Sequence, residues 1–182
     1  MQQVNGHIYD LPCKWYALLT ESGTERKATI WLKRRQYHPY WPRYMGQIRL
    51  NRHRRGFRWR SVIPGYLFLP IPEASNAGWA TIEQAPGVHG VMRHADYNFV
   101  VFKEQDISEV ARIERCLNES PVAAAEGIPF RVGQEVRIVR GMFENHTTAI
   151  ISIDRGRRIT LEVPFLGSTR EIVLPVNDIE AV

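Results

Sequence analysis

The hydrophobic pattern changes period near residue 130, and that switch limits the fold more than any other feature of the chain. Beyond Pro129, "EVRIV", "TAIISI", "RRITLEV" and "REIVLPV" put aliphatic residues on alternate positions, with "RGMFEN", "DRGR" and "LGST" as turn signals between them. Alternation of this kind builds strands with one buried face, and roughly fifty residues of short strands suit a small barrel.

Upstream, helical and strand periods alternate. "KWYALLT", Lys14 to Thr20, reads as a buried strand. Thr24 is a natural N-cap, and Ala28, Trp31 and Leu32 then share one helical face while Arg26, Lys27, Lys33 and Arg34 project elsewhere. Pro39 and Pro42 forbid continuation of that helix, so residues 33–60 read as an extended basic arm or hairpin with Gly56 near its tip. "VIPGYLFLPI" is the next strand, Trp79, Ile82 and Ala85 mark a short helix stopped by Pro86 and Gly87, and "YNFVVFK" is a further strand. Asp106 and Glu109 have the spacing of a capping box, and Val110, Ile113 and Leu117 form the apolar stripe of a third helix that Pro121 ends. The expected class is α+β: an N-terminal α/β sandwich with a mostly antiparallel sheet over residues 1–120, a linker at 121–129 and an all-β barrel over 130–182.

Charge is unevenly spread. From Arg26 to Pro72 there are twelve Lys and Arg and no Asp or Glu, whereas the whole chain carries only +5, so the remainder is acidic. A focused field of one sign concentrates an oppositely charged partner, and phosphate backbones are the commonest partner of an Arg-rich patch. Arg34, Arg35, Arg52, Arg54, Arg55, Arg58 and Arg60 are the expected nucleic-acid contacts, with Phe57 and Trp59 interleaved for stacking on bases or for packing of the arm on its own sheet. An acidic protein surface is the competing partner class, and a merely solvated hairpin is the plain alternative.

Other chemistries find little support in the residues. There is no Walker loop, dinucleotide-binding glycine pattern, His-Glu-x-x-His or Gly-x-Ser-x-Gly, so no enzymatic activity and no cofactor are expected. His89, His94 and Asp96 could meet around a metal, but two histidines five apart beside a loop are far more often surface residues, and Cys13 and Cys116 are too few for a disulfide framework or a thiolate zinc centre. No apolar run has bilayer length and the N-terminus lacks secretory character, so the expected address is cytoplasmic and the expected state monomeric, away from membranes.

With these segments in view, the chain resembles the NusG family of transcription elongation factors, including its specialised RfaH-like paralogues. "KWYALLTESGTERKA" is similar to the family's opening strand and helix, "VIPGYLFL" to its Pro-Gly-Tyr strand and "WATIEQAPGVHGVMR" to its Pro-Gly-Val segment. "FRVGQEVRIVRGMFENHTTAIISID" with "RITLEVPFLGSTREIVL" is similar to the Kyrpides-Ouzounis-Woese (KOW) module. The resemblance implies an N-terminal domain that docks on the clamp helices of RNA polymerase, suppresses pausing and modulates termination or antitermination, with the basic arm meeting DNA of the elongation complex. It implies polymerase contacts at Tyr16, Ile63, Tyr66 and Phe68, and KOW positions at Gly141, Phe143, Leu166 and Gly167. The family's barrel partners, ribosomal protein or Rho, meet two departures here: Thr148 stands where a glycine is usual, and Leu166 where a Phe commonly precedes the later glycine. The strongly basic N-terminal domain is closer to a specialised paralogue than to the general factor. A ribosome-associated RNA-binding KOW protein acting in translation is the alternative reading.

Overall fold

The computed structural model describes residues 2–4, 7–9, 12–49, 51, 55–73, 76–119, 129–154, 158–165 and 168–182. In chain order its first elements are β1 (Gln2–Val4), β2 (His7–Tyr9), β3 (Cys13–Thr20), α1 (Glu25–Lys33), β4 (Arg43–Arg49), β5 (Arg55–Ser61) and β6 (Tyr66–Pro72). Then come α2 (Trp79–Glu83), β7 (Val88–Val91), β8 (Val101–Phe102), α3 (Glu104–Glu119), β9 (Glu135–Ile138), β10 (Thr147–Ile153), β11 (Arg158–Phe165), β12 (Ser168–Pro175) and β13 (Ile179–Ala181). They form two compact units, Met1–Pro42 with Gly65–Ala111, and Arg43–Pro64 with Arg112–Val182. This grouping departs from the boundary expected at 121–129: hairpin β4–β5 and the second half of α3 cluster with the barrel strands.

In the first unit β3 is the central strand, paired antiparallel with β6 on one side and with β7 and β8 on the other. Leu18, Leu67, Leu69, Ile71 and Val91 share a buried cluster with Ala28 and Leu32 of α1 and Ile82 of α2. Trp15, Tyr40, Phe68 and Phe102 are buried too. Their rings meet edge-on or tilted, Trp15 on Tyr40 at 6.4 Å, Tyr40 on Phe68 at 6.2 Å and Phe68 on Phe102 at 5.5 Å. Each fully buried large side chain contributes about 1.5–3 kcal/mol, so the apolar run of β6 is itself the core of this unit.

The turn into β6 has its own anchor. Gly65 takes a left-handed φ of +85°, where a Cβ would be strained and would sit 3.2 Å from the Thr20 carbonyl. Its N–H donates to Oε1 of Glu25 at 2.9 Å, and its carbonyl accepts from Thr20 N–H at 2.8 Å. Glu25 opens α1, favourable for an acid in a helix's first turn, and is only 2% exposed.

In the second unit β12, β11, β10, β9 and β13 form a five-stranded antiparallel sheet. The period-two pattern does what it implied: Val136, Ile138, Ile150, Ile159, Leu161, Val163, Ile172 and Leu174 all face inward. Arg158 of β11 is 4% exposed; its guanidinium donates to the Leu117 carbonyl at 2.7 Å and the Met45 carbonyl at 2.9 Å. Asp178, 1% exposed, takes both Arg112 nitrogens, at 2.5 and 3.4 Å. Val173 N–H donates to the Val62 carbonyl at 3.3 Å.

Several local expectations shift. The strand expected over 97–103 shrinks to β8, because Tyr97 adopts a φ of 65° in a turn closed by His94 N–H donating to the Asn98 carbonyl. α3 starts at Glu104 and not at the Asp106–Glu109 box: Asp106 instead reaches back to the Lys103 N–H at 2.9 Å, half of a box placed three residues earlier. Gly56 lies within β5, paired with Ile48, and β7 and β13 were not anticipated. Residues 121–128 of the expected linker lie outside the described residues.

Two consequences are measurable. Glu25→Ala leaves the Gly65 N–H unsatisfied, and urea unfolding will show a loss of about 1–3 kcal/mol. Burial raises the pKa of the Tyr44 hydroxyl, opposed by Arg60, raised further by Asp154 and opposed by Arg158. A raised folded-state pKa means stability that is intact below the unfolded value of about 10 and lost as pH climbs through the folded value. The urea midpoint will therefore fall more steeply above pH ~10 in the wild type than in Tyr44→Phe.

Candidate functional site

The acid-free stretch becomes two exposed surfaces, one in each unit. On α1, the inward positions Glu25, Ala28 and Leu32 are buried, which leaves Arg26, Lys27, Ile30 and Lys33 exposed, with Arg34 as the C-cap. Arg35 folds back so that its guanidinium lies 3.4 Å from the Trp31 ring centroid and donates to the Trp31 carbonyl at 3.5 Å. On β5, Arg58 and Arg60 are exposed; Arg55 pairs with Arg49 at the distal end of the hairpin, and Arg52 and Arg54 lie outside the described residues. No ion pair among the described residues engages Arg34, Arg35, Arg58 or Arg60. Arg34, Arg58 and Arg60 thus present their charge to solvent, while Arg35 is stacked on Trp31.

The hairpin is held at its base. Arg43 N–H donates to Glu114 Oε1 at 3.1 Å, Met45 N–H to Asn118 Oδ1 at 3.2 Å, and Asn118 Nδ2 returns a bond to the Arg43 carbonyl at 3.0 Å. These side chains of α3 satisfy a strand edge that would otherwise stand open.

The expected polymerase contacts are arranged differently from the single apolar surface that the resemblance implies. Tyr66 and Phe68 lie opposite Leu19 and Ala17, whereas Tyr16 lies opposite Leu69, so Tyr16 belongs to the other face of the sheet. Tyr66 is 1% exposed and Phe68 0%, because both sides of β6 are covered, and Ile63, in the second unit, is 1% exposed as well. Ile63, Tyr66 and Phe68 are thus core residues in this conformation. Tyr16 is half-buried in a ring cluster with Trp79 at 4.8 Å and Phe99 at 6.0 Å, and Arg93 lies 4.0 Å over Phe99. Sequence reasoning missed that cluster; Phe99 is 83 residues from Tyr16, and only strand pairing brings them together.

In the barrel Gly141 takes a φ of +91° and Phe143 is 4% exposed, the glycine permitting the turn and the ring closing the core beneath it. Thr148 donates through its hydroxyl to the Glu162 carbonyl at 2.7 Å, while Leu166 and Gly167 lie outside the described residues. Asp96 accepts both bonds from Asn98, which hold its carboxyl below the usual range, and among the described residues no group of three or more His, Cys, Asp or Glu gathers for a metal. No helix is long and apolar enough to cross a membrane among the described residues.

Comparison with known proteins agrees with this architecture. Residues 13–111 match the family model described as transcription termination factor nusG. The transcription termination/antitermination protein NusG of Thermus thermophilus is 23% identical over 125 residues, covering 66% of this chain and 67% of that protein. Its namesake from Helicobacter pylori is 27% identical over 124 residues, covering 68% and 67%. A solved structure titled as the domain interaction in Thermotoga maritima NusG shares the fold with a TM-score of 0.56 at 23% identity, covering 94% of this chain and 98% of that one.

The burial of β6 sets an expected outcome. Phe68→Ala will destabilise the first unit by about 3–5 kcal/mol in denaturant titration, so any loss of partner binding by that variant reports unfolding first.

Proposed function

The chain belongs to the NusG family of transcription termination factors, and from that premise we propose that it rides on transcribing RNA polymerase, suppresses pausing and modulates termination. The reading also assigns it to the cytoplasm, as a specialised member whose basic surfaces meet DNA of the elongation complex. The observation that supports this most is the pair of exposed cationic surfaces, α1 and β5, drawn from a stretch with twelve Lys and Arg and no carboxylate.

The division of labour follows from chemistry. Docking on the polymerase clamp helices supplies position, and phosphate contacts by Arg34, Arg35, Arg58 and Arg60 supply sequence-independent grip. A factor already held on the polymerase needs few phosphate contacts of its own, since tethering makes the second contact intramolecular. Docking through Ile63, Tyr66 and Phe68 requires a rearrangement that uncovers them, since all three are buried. Tyr16, with Trp79 and Phe99, is the expected contact already within reach of solvent.

An elongation assay on a template with one defined pause checks the proposal. The wild type will shorten the pause, and Arg58→Glu will lose much of that effect while leaving thermal unfolding unchanged, because the side chain is exposed. The slope of log affinity against log salt for nucleic acid will fall by ~0.7–0.9 per phosphate contact removed. Pausing unchanged by the wild-type protein would refute the assignment.

A further inference from the structure

Along β5 the side chains alternate, so Phe57 and Trp59 share one face of the hairpin. Phe57 is 57% exposed and Trp59 42%, the largest adjacent pair of solvent-facing rings among the described residues. The opposite face of the hairpin is occupied. Tyr44 is 5% exposed with the Arg158 guanidinium 4.8 Å over its ring, and the Arg60 stem crosses Gly46, where a Cβ would lie 2.6 Å from Arg60 Cδ. One side of the ribbon therefore packs inward and the other shows two aromatic rings to solvent.

The outward face is also shaped. Arg43 sits beside Trp59, its guanidinium 4.6 Å over the indole, and its backbone is fixed by Glu114 and Asn118. Trp59 stays 42% exposed with that cation in place. Arg58 and Arg60 alternate to the opposite face of β5, with Gly46 and Tyr44, so Arg43 is the cation that borders the rings. Two exposed rings with a fixed guanidinium beside them are a platform for planar, electron-rich groups joined by phosphates.

We propose that Phe57 and Trp59 form a stacking ladder for single-stranded DNA. The proposal rests on the reading of the basic stretch as a nucleic-acid surface and deepens it by naming the form of the nucleic acid. A duplex hides its base faces in its own stack, so exposed rings gain nothing from it; a single strand has those faces free. The two positions are two residues apart on the strand, about 6.8 Å, or roughly two nucleotide steps of 3.4 Å, a spacing that suits bases of one strand. An acidic protein surface would satisfy the arginines and leave the rings uncovered. DNA is the strand chosen because this basic stretch, in the proposed function, is set against DNA of the elongation complex, and an oligouridylate probe separates it from RNA.

Fluorescence anisotropy with the full chain tests this, using a labelled oligothymidylate of about a dozen nucleotides, a duplex of equal length and the matching oligouridylate. The wild type will bind the single-stranded DNA about tenfold tighter than the duplex. Phe57→Ala with Trp59→Ala will erase that preference and leave duplex affinity and the salt slope unchanged. Phe57→Leu with Trp59→Leu, which keeps apolar bulk on the strand, will erase it as well, and Phe57→Trp will preserve it. Equal binding of single strand and duplex by the wild type, or a preference that survives both ring variants, would overturn the ladder while leaving the basic surface standing. Tighter binding of the oligouridylate would overturn the assignment to DNA. Absence of binding to all three probes would sink the nucleic-acid reading and the ladder with it.

Discussion

The second unit depends on one guanidinium. Arg158 leaves the barrel sheet and spends its donors on the Leu117 carbonyl, near the end of α3, and on the Met45 carbonyl in the hairpin, while its plane lies over Tyr44. Carbonyls in the last turn of a helix lack intrahelical partners, and their partial negative charge favours a cation there. Arginine is suited to the position because its rigid fork serves several acceptors at once, whereas a lysine ammonium would serve them as a single point charge. Barrel, helix end and hairpin are thereby joined at a buried point, with the Arg112–Asp178 pair as a second fastening. Removing Arg112 would leave the buried Asp178 carboxylate uncompensated.

That joint explains how an exposed basic hairpin keeps a defined shape. A two-stranded ribbon is marginal alone in water. Here the edge of β4 is satisfied by Glu114 and Asn118, and the inward face is filled by Tyr44. The outward face is relieved of any structural duty and is free to carry rings and charge, a combination that an unsupported ribbon would bury or fold over.

Much of this was legible in the sequence, and the reasons for the rest are physical. Period-two alternation placed the barrel strands β9 to β12 closely, since burial on one face leaves a strong periodic trace. Ala28 and Leu32 on α1, and Val110, Ile113 and Leu117 on α3, were readable for the same reason. The apolar run of β6 was ambiguous, because a strand buried on both faces and a strand with a docking face can have the same composition; only the register with β3 decided that Tyr66 and Phe68 turn away from Tyr16. Arg158 and Asp178 were illegible, for nothing local separates an arginine that will be buried from one that will be solvated. The charge of the arm was plain, whereas the two-sidedness of the hairpin needed its register.

α1 carries two independent obligations on one short cylinder. Glu25, Ala28 and Leu32 are committed inward, Glu25 through a hydrogen bond to a main-chain N–H that stays in place whatever side chains surround it. Arg26, Lys27, Ile30 and Lys33 have no part in that packing. The helix is in this sense a replaceable face on a fixed mount: exchanging its outward residues alters what the surface offers a partner while the turn into β6 stays closed.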